Sequence, residues 1–182
     1  MGPASSNASS SALLTLRLNQ GFENPIKFHQ MISAKSKYAL KAMFVLSQEY
    51  GHGPILISEI AAREKIPRRF LEIILLELKT MGVLRSKKGK GGGYQLSKPP
   101  AEITVGHVLR ILEGPLAPLP CVSKTAYERC AECIDESVCA IRIVMKDVRD
   151  ATARILDSTT FADLLKRSQI AVRGAGAIEF SI

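Results

Sequence analysis

The chain has 182 residues, of which 46% are apolar and 23% are charged, and its formal net charge is +8. These values predict a protein with a packed core, built as one compact domain or as a small domain with an appendage. The sequence contains no run of 18 apolar residues, and its Ala12–Leu16 run is too short for a signal peptide, so we expect a cytoplasmic protein without membrane contact.

The excess positive charge lies in one part of the sequence. Residues 34–98 contain 13 Lys or Arg and 5 Asp or Glu, whereas the rest of the chain contains 12 of each and is neutral. A basic segment joined to a neutral one is typical of a protein that binds a polyanion through one part only. The alternative is charge that serves solubility, which is more often spread along a chain.

The first residues show little pattern. Residues 1–30 are rich in Ser and Asn at their start and contain Pro25, and we expect them to form a flexible N-terminal extension. Met31 is an alternative start of translation, because recognisable organisation begins directly after it.

Three helices are predicted next. Apolar residues recur at helical spacing over 36–50. The second helix, 58–65, begins at Ser58 as its N-cap, and the third, 68–81, ends before Gly82. The apolar face expected for the third helix consists of Phe70, Ile73, Ile74, Leu75 and Leu78.

Residues 83–96 predict a β-hairpin. Two short extended segments, 83–86 and 93–96, flank a loop of lysines and glycines over 87–92. Three helices followed by a hairpin form the winged helix-turn-helix plan, in which the third helix enters the major groove of DNA.

The segment after the hairpin predicts further helices. Thr104 is placed to cap a short helix, and a Pro-rich connector leads to a polar, irregular stretch over 121–139. A long helix from about Ser137 carries apolar residues at steps of three and four, a seam that we expect to pair with a second copy rather than to pack on its own domain. Thr160 with Asp163 resembles a capping box for a last short helix. The seam consists of Ile141, Val144, Met145, Val148, Ala151, Thr152 and Ile155.

We therefore expect a mainly α protein with a small β-hairpin, made of a winged helix-turn-helix and a long dimerisation helix. Residues 31–100 are interpreted as the DNA-binding domain and 101–140 as a short helix with a cysteine-containing sensor loop. Residues 141–168 are interpreted as the dimerisation helix and the final short helix, and the Gly/Ala-rich segment 169–182 as a flexible tail.

Candidate DNA contacts lie at the start of the third helix and in the hairpin loop. Arg68 and Arg69 can each bridge O6 and N7 of guanine, and Glu72 can accept from N4 of cytosine. Two arginines at a helix N-terminus oppose the macrodipole, which favours a functional reason over ordinary solvated charge. The loop lysines can bind phosphates, and the glycines let the backbone approach closely. The candidate residues are Lys35, Lys37, Tyr38, Arg68, Arg69, Glu72, Lys87, Lys88, Lys90, Gly91 and Gly92.

The four cysteines lie within nineteen residues, at Cys121, Cys130, Cys133 and Cys139. Structural cysteines of a cytosolic core need not lie together, so their spacing indicates a shared role. Thiolates bind iron–sulfur clusters, and four of them satisfy tetrahedral zinc. A redox pair formed by Cys130 and Cys133, or an unliganded thiol switch, are the metal-free alternatives.

Several of these motifs resemble the Rrf2 family, the IscR/NsrR-type winged-helix regulators of bacteria. The resemblance runs from about residue 31 to 165. It is carried by Lys37-Tyr38-Ala39-Leu40, by Phe70-Leu71-Glu72, by Gly82-Val83-Leu84, and above all by the segment from Arg85 through Lys90 to Gly91-Gly92-Gly93-Tyr94-Gln95-Leu96.

The resemblance implies a homodimer that is joined through the long helix and binds a partly palindromic operator in double-stranded DNA. It implies that Glu72 discriminates between bases. In many members three cysteines hold an iron–sulfur cluster, of the 2Fe-2S or 4Fe-4S type, whereas other members lack one. Cys121, Cys133 and Cys139 would be the corresponding residues here, and Cys130 is additional.

This chain departs from the family pattern at one position. IscR-type members carry a histidine three residues after the last cysteine, and this chain has Arg142 there. A guanidinium group cannot ligate as that histidine does. Cys130 would then complete the ligand set, or the partner subunit would supply a ligand, or the protein would hold zinc or no metal at all.

The sequence thus predicts a homodimeric DNA-binding transcription regulator, acting as a repressor, with an iron–sulfur or redox sensor loop. The alternatives are a winged-helix regulator with a thiol switch or structural zinc, and an adaptor that binds protein. A thiol oxidoreductase is a third possibility, but an enzyme is not expected, because His29, His52 and His107 are scattered and none forms a catalytic constellation with a nearby Cys or Ser.

Overall fold

The computed structural model of the chain describes residues 32–178. The expected N-terminal extension, the alternative start at Met31 and the last four residues of the expected tail lie outside this part. Within it, six α-helices and one two-stranded antiparallel hairpin follow the predicted order. None of the helices over residues 32–178 is both long enough and apolar enough to cross a membrane.

The first two helices are confirmed with small shifts at their ends. Helix α1 spans Ala34–Gln48, and the Ser33 hydroxyl caps it by accepting from the Ser36 N–H at 3.2 Å. Helix α2 spans Ile57–Glu64 and begins two residues earlier than predicted. Its N-cap is Leu56 rather than Ser58, because Ile57 packs against the core and draws the first turn inward. Ser58 therefore lies within the first turn.

Helix α3 spans Arg68–Thr80 and ends as predicted. Gly82 adopts a φ of 76°, and the N–H groups of Gly82 and Val83 donate to the carbonyls of Lys79 and Leu78. This is the hydrogen-bond pattern of a Schellman cap, and it needs a residue in the left-handed region that glycine occupies without strain.

The buried face of α3 differs from the predicted one. Leu71, which was not expected to face inward, is fully buried together with Ile74, Leu75 and Leu78. Those four positions follow the i, i+3, i+4, i+7 spacing that keeps side chains on one helix face. Phe70 and Ile73 lie off that face and are 38% and 61% exposed, so the prediction that they face the core is wrong.

The hairpin is confirmed and is joined to the segment before α2. Strands β1 (Leu84–Lys87) and β2 (Gly93–Leu96) pair antiparallel, with Leu84 opposite Leu96. Ile55 and Tyr94 exchange two backbone hydrogen bonds of 2.8 Å. This additional pairing attaches the wing to the segment between α1 and α2.

The C-terminal half completes the same core. Helix α4 spans Val105–Glu113 and is capped by Thr104, as predicted, and α5 spans Ala140–Ser158. Helix α6 begins with the predicted capping box, in which Asp163 accepts from the Thr160 N–H at 3.0 Å and donates its own N–H to the Thr160 hydroxyl at 3.1 Å. Phe161 is fully buried in the core that α1 and α3 form.

Helix α6 is longer than predicted. It spans Phe161–Ile178, so the part of the expected flexible tail that lies over 169–178 is helical. Its alanines are the strongest helix formers, and the helix is already anchored at Phe161, so two glycines are not sufficient to end it.

Candidate nucleic-acid interface and cysteine loop

The first turns of α3 present the predicted base-reading residues to solvent. Arg68, Arg69 and Glu72 are all exposed. The Nε of Arg68 donates to Oε1 of Glu72 at 3.1 Å, one turn along the helix. This pair orients the carboxylate on the surface, and because both groups stay solvated it contributes little to stability.

The wing presents its lysines in the same way, but its glycines serve two different purposes. Lys87, Lys88 and Lys90 are exposed, and so is Gly91. Gly92 is buried, unlike the surface position expected for it, because a Cβ there would run into the carbonyl oxygens of Lys87 and, at 2.8 Å, of Gly89. Gly92 thus permits the tight loop.

A cleft of about 400 Å³ lies between the wing and the helix-turn-helix. Its lining includes Arg68 and Lys79 from α3 and Lys87 and Lys88 from the wing. None of the described residues that line it is acidic. Four cationic side chains around one concave surface create a strongly positive potential that favours an anion.

The N-terminus of α2 forms another wall of this cleft. Leu56, Ile57 and Ser58 line it, and Leu56 offers no side-chain acceptor to the first N–H groups of the helix. Uncapped N–H groups at a helix N-terminus suit phosphate oxygens. Sequence reasoning missed Ser58 and Lys79 as candidate phosphate ligands, because the patterns that mark a cap and a last-turn cation account for both residues without a ligand.

The three candidates on α1 have different surroundings. Lys35 forms an ion pair with Glu77 of α3, with 2.6 Å between Nζ and Oε2, and so ties two helices together. Lys37 is exposed. The Tyr38 ring packs edge-on against Phe70 at a centroid distance of 5.7 Å, close to the start of α3. Tyr38 therefore lies beside the candidate interface, whereas Lys35 is engaged in a contact within the protein.

The cysteine loop, defined as residues 121–139, contains four free thiols. Cys121 is buried in a 3-10 turn, Pro120–Val122, and the other three are partly buried. A hydrogen bond with the thiol of Cys121 raises the pKa of Cys130. Burial raises the pKa of Cys133. Both groups are therefore protonated at neutral pH, and a metal ion would have to displace their protons.

Polar contacts of arginine and acidic side chains hold the loop. Arg129 donates to the carbonyls of Cys133 at 3.0 Å and Ile134 at 3.3 Å. Tyr127 donates to Glu136. Few apolar side chains of the loop are buried, so these contacts largely set its shape.

Two arginines of α5 donate hydrogen bonds to the first turn of the loop. Nε of Arg142 donates to the carbonyl of Cys121 at 3.3 Å, and Nη1 of Arg149 donates to the carbonyl of Val122 at 2.5 Å. Arginines seven residues apart lie on one helix face. Arg142, at the position of the family's histidine, thus binds the backbone that carries a thiol and is not placed as a ligand.

The donor atoms of the loop suit an iron–sulfur cluster or zinc, but their positions do not. Over residues 32–178, no group of three or more His, Cys, Asp or Glu side chains is arranged to hold a metal ion. A bound cluster would therefore require the loop to rearrange.

The outer face of α5 is apolar and exposed. Ile141, Val144, Val148 and Ile155 follow at steps of three, four and seven, and each is more than 40% exposed. They are four of the seven residues of the predicted seam, of which Met145 and Thr152 are only half-exposed.

Comparison with known proteins identifies the family. The family model of Rrf2, described as an iron-dependent transcriptional regulator, matches residues 32–167. An rrf2-like HTH-type transcriptional regulator of Rhodobacter capsulatus is 44% identical over 138 residues, which are 74% of this chain and 92% of the relative.

Two solved structures share the fold. The global cysteine regulator CymR of B. subtilis has a TM-score of 0.64 and 34% identity, over 75% of this chain and 96% of its own. IscR of T. potens has a TM-score of 0.62 and 31% identity, over 77% and 89%. Both the sequence and the fold thus match winged-helix regulators of transcription and not enzymes, and this chain belongs to the Rrf2 family of DNA-binding transcriptional regulators.

Proposed function

We propose that the protein is a cytoplasmic homodimeric repressor that binds a partly palindromic operator with α3 and the wing of each subunit. The observation that carries this proposal is the cationic cleft, where Arg68 of α3 and Lys87 and Lys88 of the wing face one concave surface. Phosphates bound there would fix α3 relative to the duplex.

Within this proposal the contacts divide into two kinds. The wing lysines and the N-terminus of α2 bind phosphates, which supply affinity without sequence preference. Arg69 and Glu72 are exposed near the start of α3, where side chains of a recognition helix reach base edges. They read guanine and cytosine respectively.

A salt titration tests the phosphate contacts. Replacement of Lys87, Lys88 and Lys90 by Gln should reduce the slope of log K against log salt by up to ~2.7, about 0.9 for each lost contact. Lys124→Gln is the matched control, since Lys124 is exposed in the cysteine loop, outside the winged head (residues 34–96). An unchanged slope in the triple variant, or the same change in the control, contradicts the proposed interface.

The proposed dimer rests on the exposed seam of α5. Apolar residues at coiled-coil spacing leave a stripe that a second copy of the helix would cover. Val148→Glu should therefore shift the protein to a monomer in sedimentation equilibrium, whereas Lys146→Glu, on the neighbouring exposed surface, should leave the dimer intact. A wild-type monomer at micromolar concentration would contradict the proposal. Two linked heads would hold the half-sites about one helical turn apart.

We also propose that the cysteine loop is the part that senses a signal. Arg142 and Arg149 connect its first turn to the helix proposed for dimerisation, so a change in the loop would move the two heads relative to each other. A coupling of about 1–3 kcal/mol would change operator occupancy from several-fold to about a hundredfold.

Metal analysis of anaerobically purified protein tests what the loop holds. Thiol donors favour an iron–sulfur cluster, seen as visible absorption with iron and sulfide in the protein. Zinc without colour would indicate a structural site, and a colourless, metal-free protein that still binds its operator would indicate a thiol switch or no sensor.

A further inference from the structure

The face of α3 that is directed away from the core is not uniformly polar. Ile73 lies beside the side chains proposed to read bases, directly after Glu72 and one turn after Arg69, and it is 61% exposed. Sequence periodicity assigned it to the core, but the core face of α3 is complete without it. Packing in the core therefore does not account for the isoleucine beside the proposed base-reading residues.

The floor of the major groove offers one kind of apolar group. A guanine, cytosine or adenine edge presents hydrogen-bond donors and acceptors, whereas thymine adds a C5-methyl group. An isoleucine pressed against polar edges would desolvate them without forming a hydrogen bond, which is unfavourable. Against a methyl group it instead removes apolar surface of both partners from water.

The geometry of the helix limits where this methyl group can lie. Ile73 is the sixth residue of α3, so it belongs to the N-terminal part that reaches base edges. Arg69 and Ile73 are separated by about 6 Å along the helix axis, less than two base-pair steps of about 3.4 Å. Because isoleucine is branched at Cβ, its χ1 angle is nearly fixed in a helix, and it presents a preformed surface.

We propose that Ile73 reads the C5-methyl group of a thymine that lies within two base pairs of the guanine contacted by Arg69. This inference rests on the proposed function, because it requires α3 to enter the major groove. It makes Ile73 a specificity-determining residue and predicts a thymine at a fixed position in each half-site.

The test removes the methyl group and nothing else. An operator is first selected from a pool of random duplexes with the full chain, and each thymine is then replaced singly by deoxyuridine. One position in each half-site should lose about fourfold in affinity, equivalent to the ~0.8 kcal/mol of one buried methyl group. In Ile73→Ala, the thymine and uracil operators should bind equally well at that position.

Leu76→Ala is the matched control. Leu76 is 55% exposed on the same side of α3, but lies one turn farther from its N-terminus. This variant should retain the fourfold preference for thymine over uracil. Because both side chains are exposed, both variants should fold, and thermal unfolding verifies this.

The outcomes separate the inference from the proposed function. Selective operator binding that is indifferent to uracil at every position, or a thymine preference that survives Ile73→Ala, overturns the role of Ile73 and leaves the function intact. Loss of the preference in Leu76→Ala but not in Ile73→Ala also overturns it. Failure to select any sequence from the pool overturns the proposed operator binding and the inference together.

Discussion

The winged head and the cysteine loop are stabilised in different ways. The head, residues 34–96, buries a continuous apolar core from α1, α2, α3 and both strands. The cysteine loop buries little, and its backbone carbonyls are held by the guanidinium groups of Arg129, Arg142 and Arg149. Ile134 in the loop is 96% exposed.

The difference in packing indicates that the winged head is rigid, whereas the cysteine loop can change its conformation. Dense packing leaves a core no alternative arrangement of similar energy, so the spacing between α3 and the wing is fixed. A loop held by a few hydrogen bonds can rearrange at a cost of about 0.5–1.5 kcal/mol for each neutral bond, and somewhat more for a charged one. Regions of low local stability are those that respond to ligands.

The largest expected effect tests the packing of the head. Leu75→Ala should lower the free energy of unfolding by about 2–5 kcal/mol, because Leu75 is fully buried and its removal leaves a cavity. Ile134→Ala in the loop should change it by less than ~0.5 kcal/mol. Urea unfolding followed by circular dichroism measures both.

Leu76→Ala is the control, because it removes the same atoms from the neighbouring position of α3, where the leucine is largely exposed. It should lower the free energy of unfolding much less than Leu75→Ala does. The contrast between the two regions would fail if Ile134→Ala destabilised the protein as much as Leu75→Ala.

The secondary structure of the head could be predicted from the sequence because it depends on local sequence patterns. The hairpin loop and the cap at Gly82 are marked by glycines close to the residues they affect, and outside the head the capping box of Thr160 and Asp163 is equally local. Periodicity failed at Ile73, since apolar residues run continuously from 73 to 76 and spacing alone does not tell which of them face inward.

The structure of the cysteine loop could not be predicted from local sequence patterns. The roles of Arg142 and Arg149 depend on carbonyls 21 and 27 residues away in the chain. No spacing rule connects such positions. Sequence identified the thiols of the loop but not the contacts that hold them.

A smaller effect is expected at the connection between loop and helix. Arg149→Met should leave the carbonyl of Val122 without its partner, at a cost of about 1–3 kcal/mol. The adjacent Cys121, which is buried in the same turn, should then react faster with iodoacetamide. Mass spectrometry of the alkylated peptide measures this rate.

Arg154→Met, at an exposed position on the same helix, should change neither the stability nor the alkylation rate. If Cys121 stayed equally protected in Arg149→Met, the loop would be held by something other than the arginine contact.

The smallest effect is expected where α4 meets α5, the helix that follows the loop. Arg110 of α4 donates to both carboxylate oxygens of Asp157 of α5, at 2.5 and 2.9 Å. These hydrogen bonds lower the pKa of Asp157 below its ordinary value of 3.8. Both side chains are more than one third exposed, so the pair should contribute no more than about 1 kcal/mol.

The sign of the pH dependence follows from that lowered pKa. The folded state holds Asp157 ionised more readily than the unfolded state does, so the stabilisation is fully present above pH 3.8 and is lost as the pH falls through the lower pKa of the folded protein. Asp157→Asn should therefore cost stability at pH 7 and progressively less toward pH 2, as measured by urea unfolding. Asp147→Asn, at an exposed position of the same helix, is the control for the lost charge. An equal cost at both pH values would contradict a stabilising charge on Asp157, because that contribution must disappear once the carboxylate is protonated.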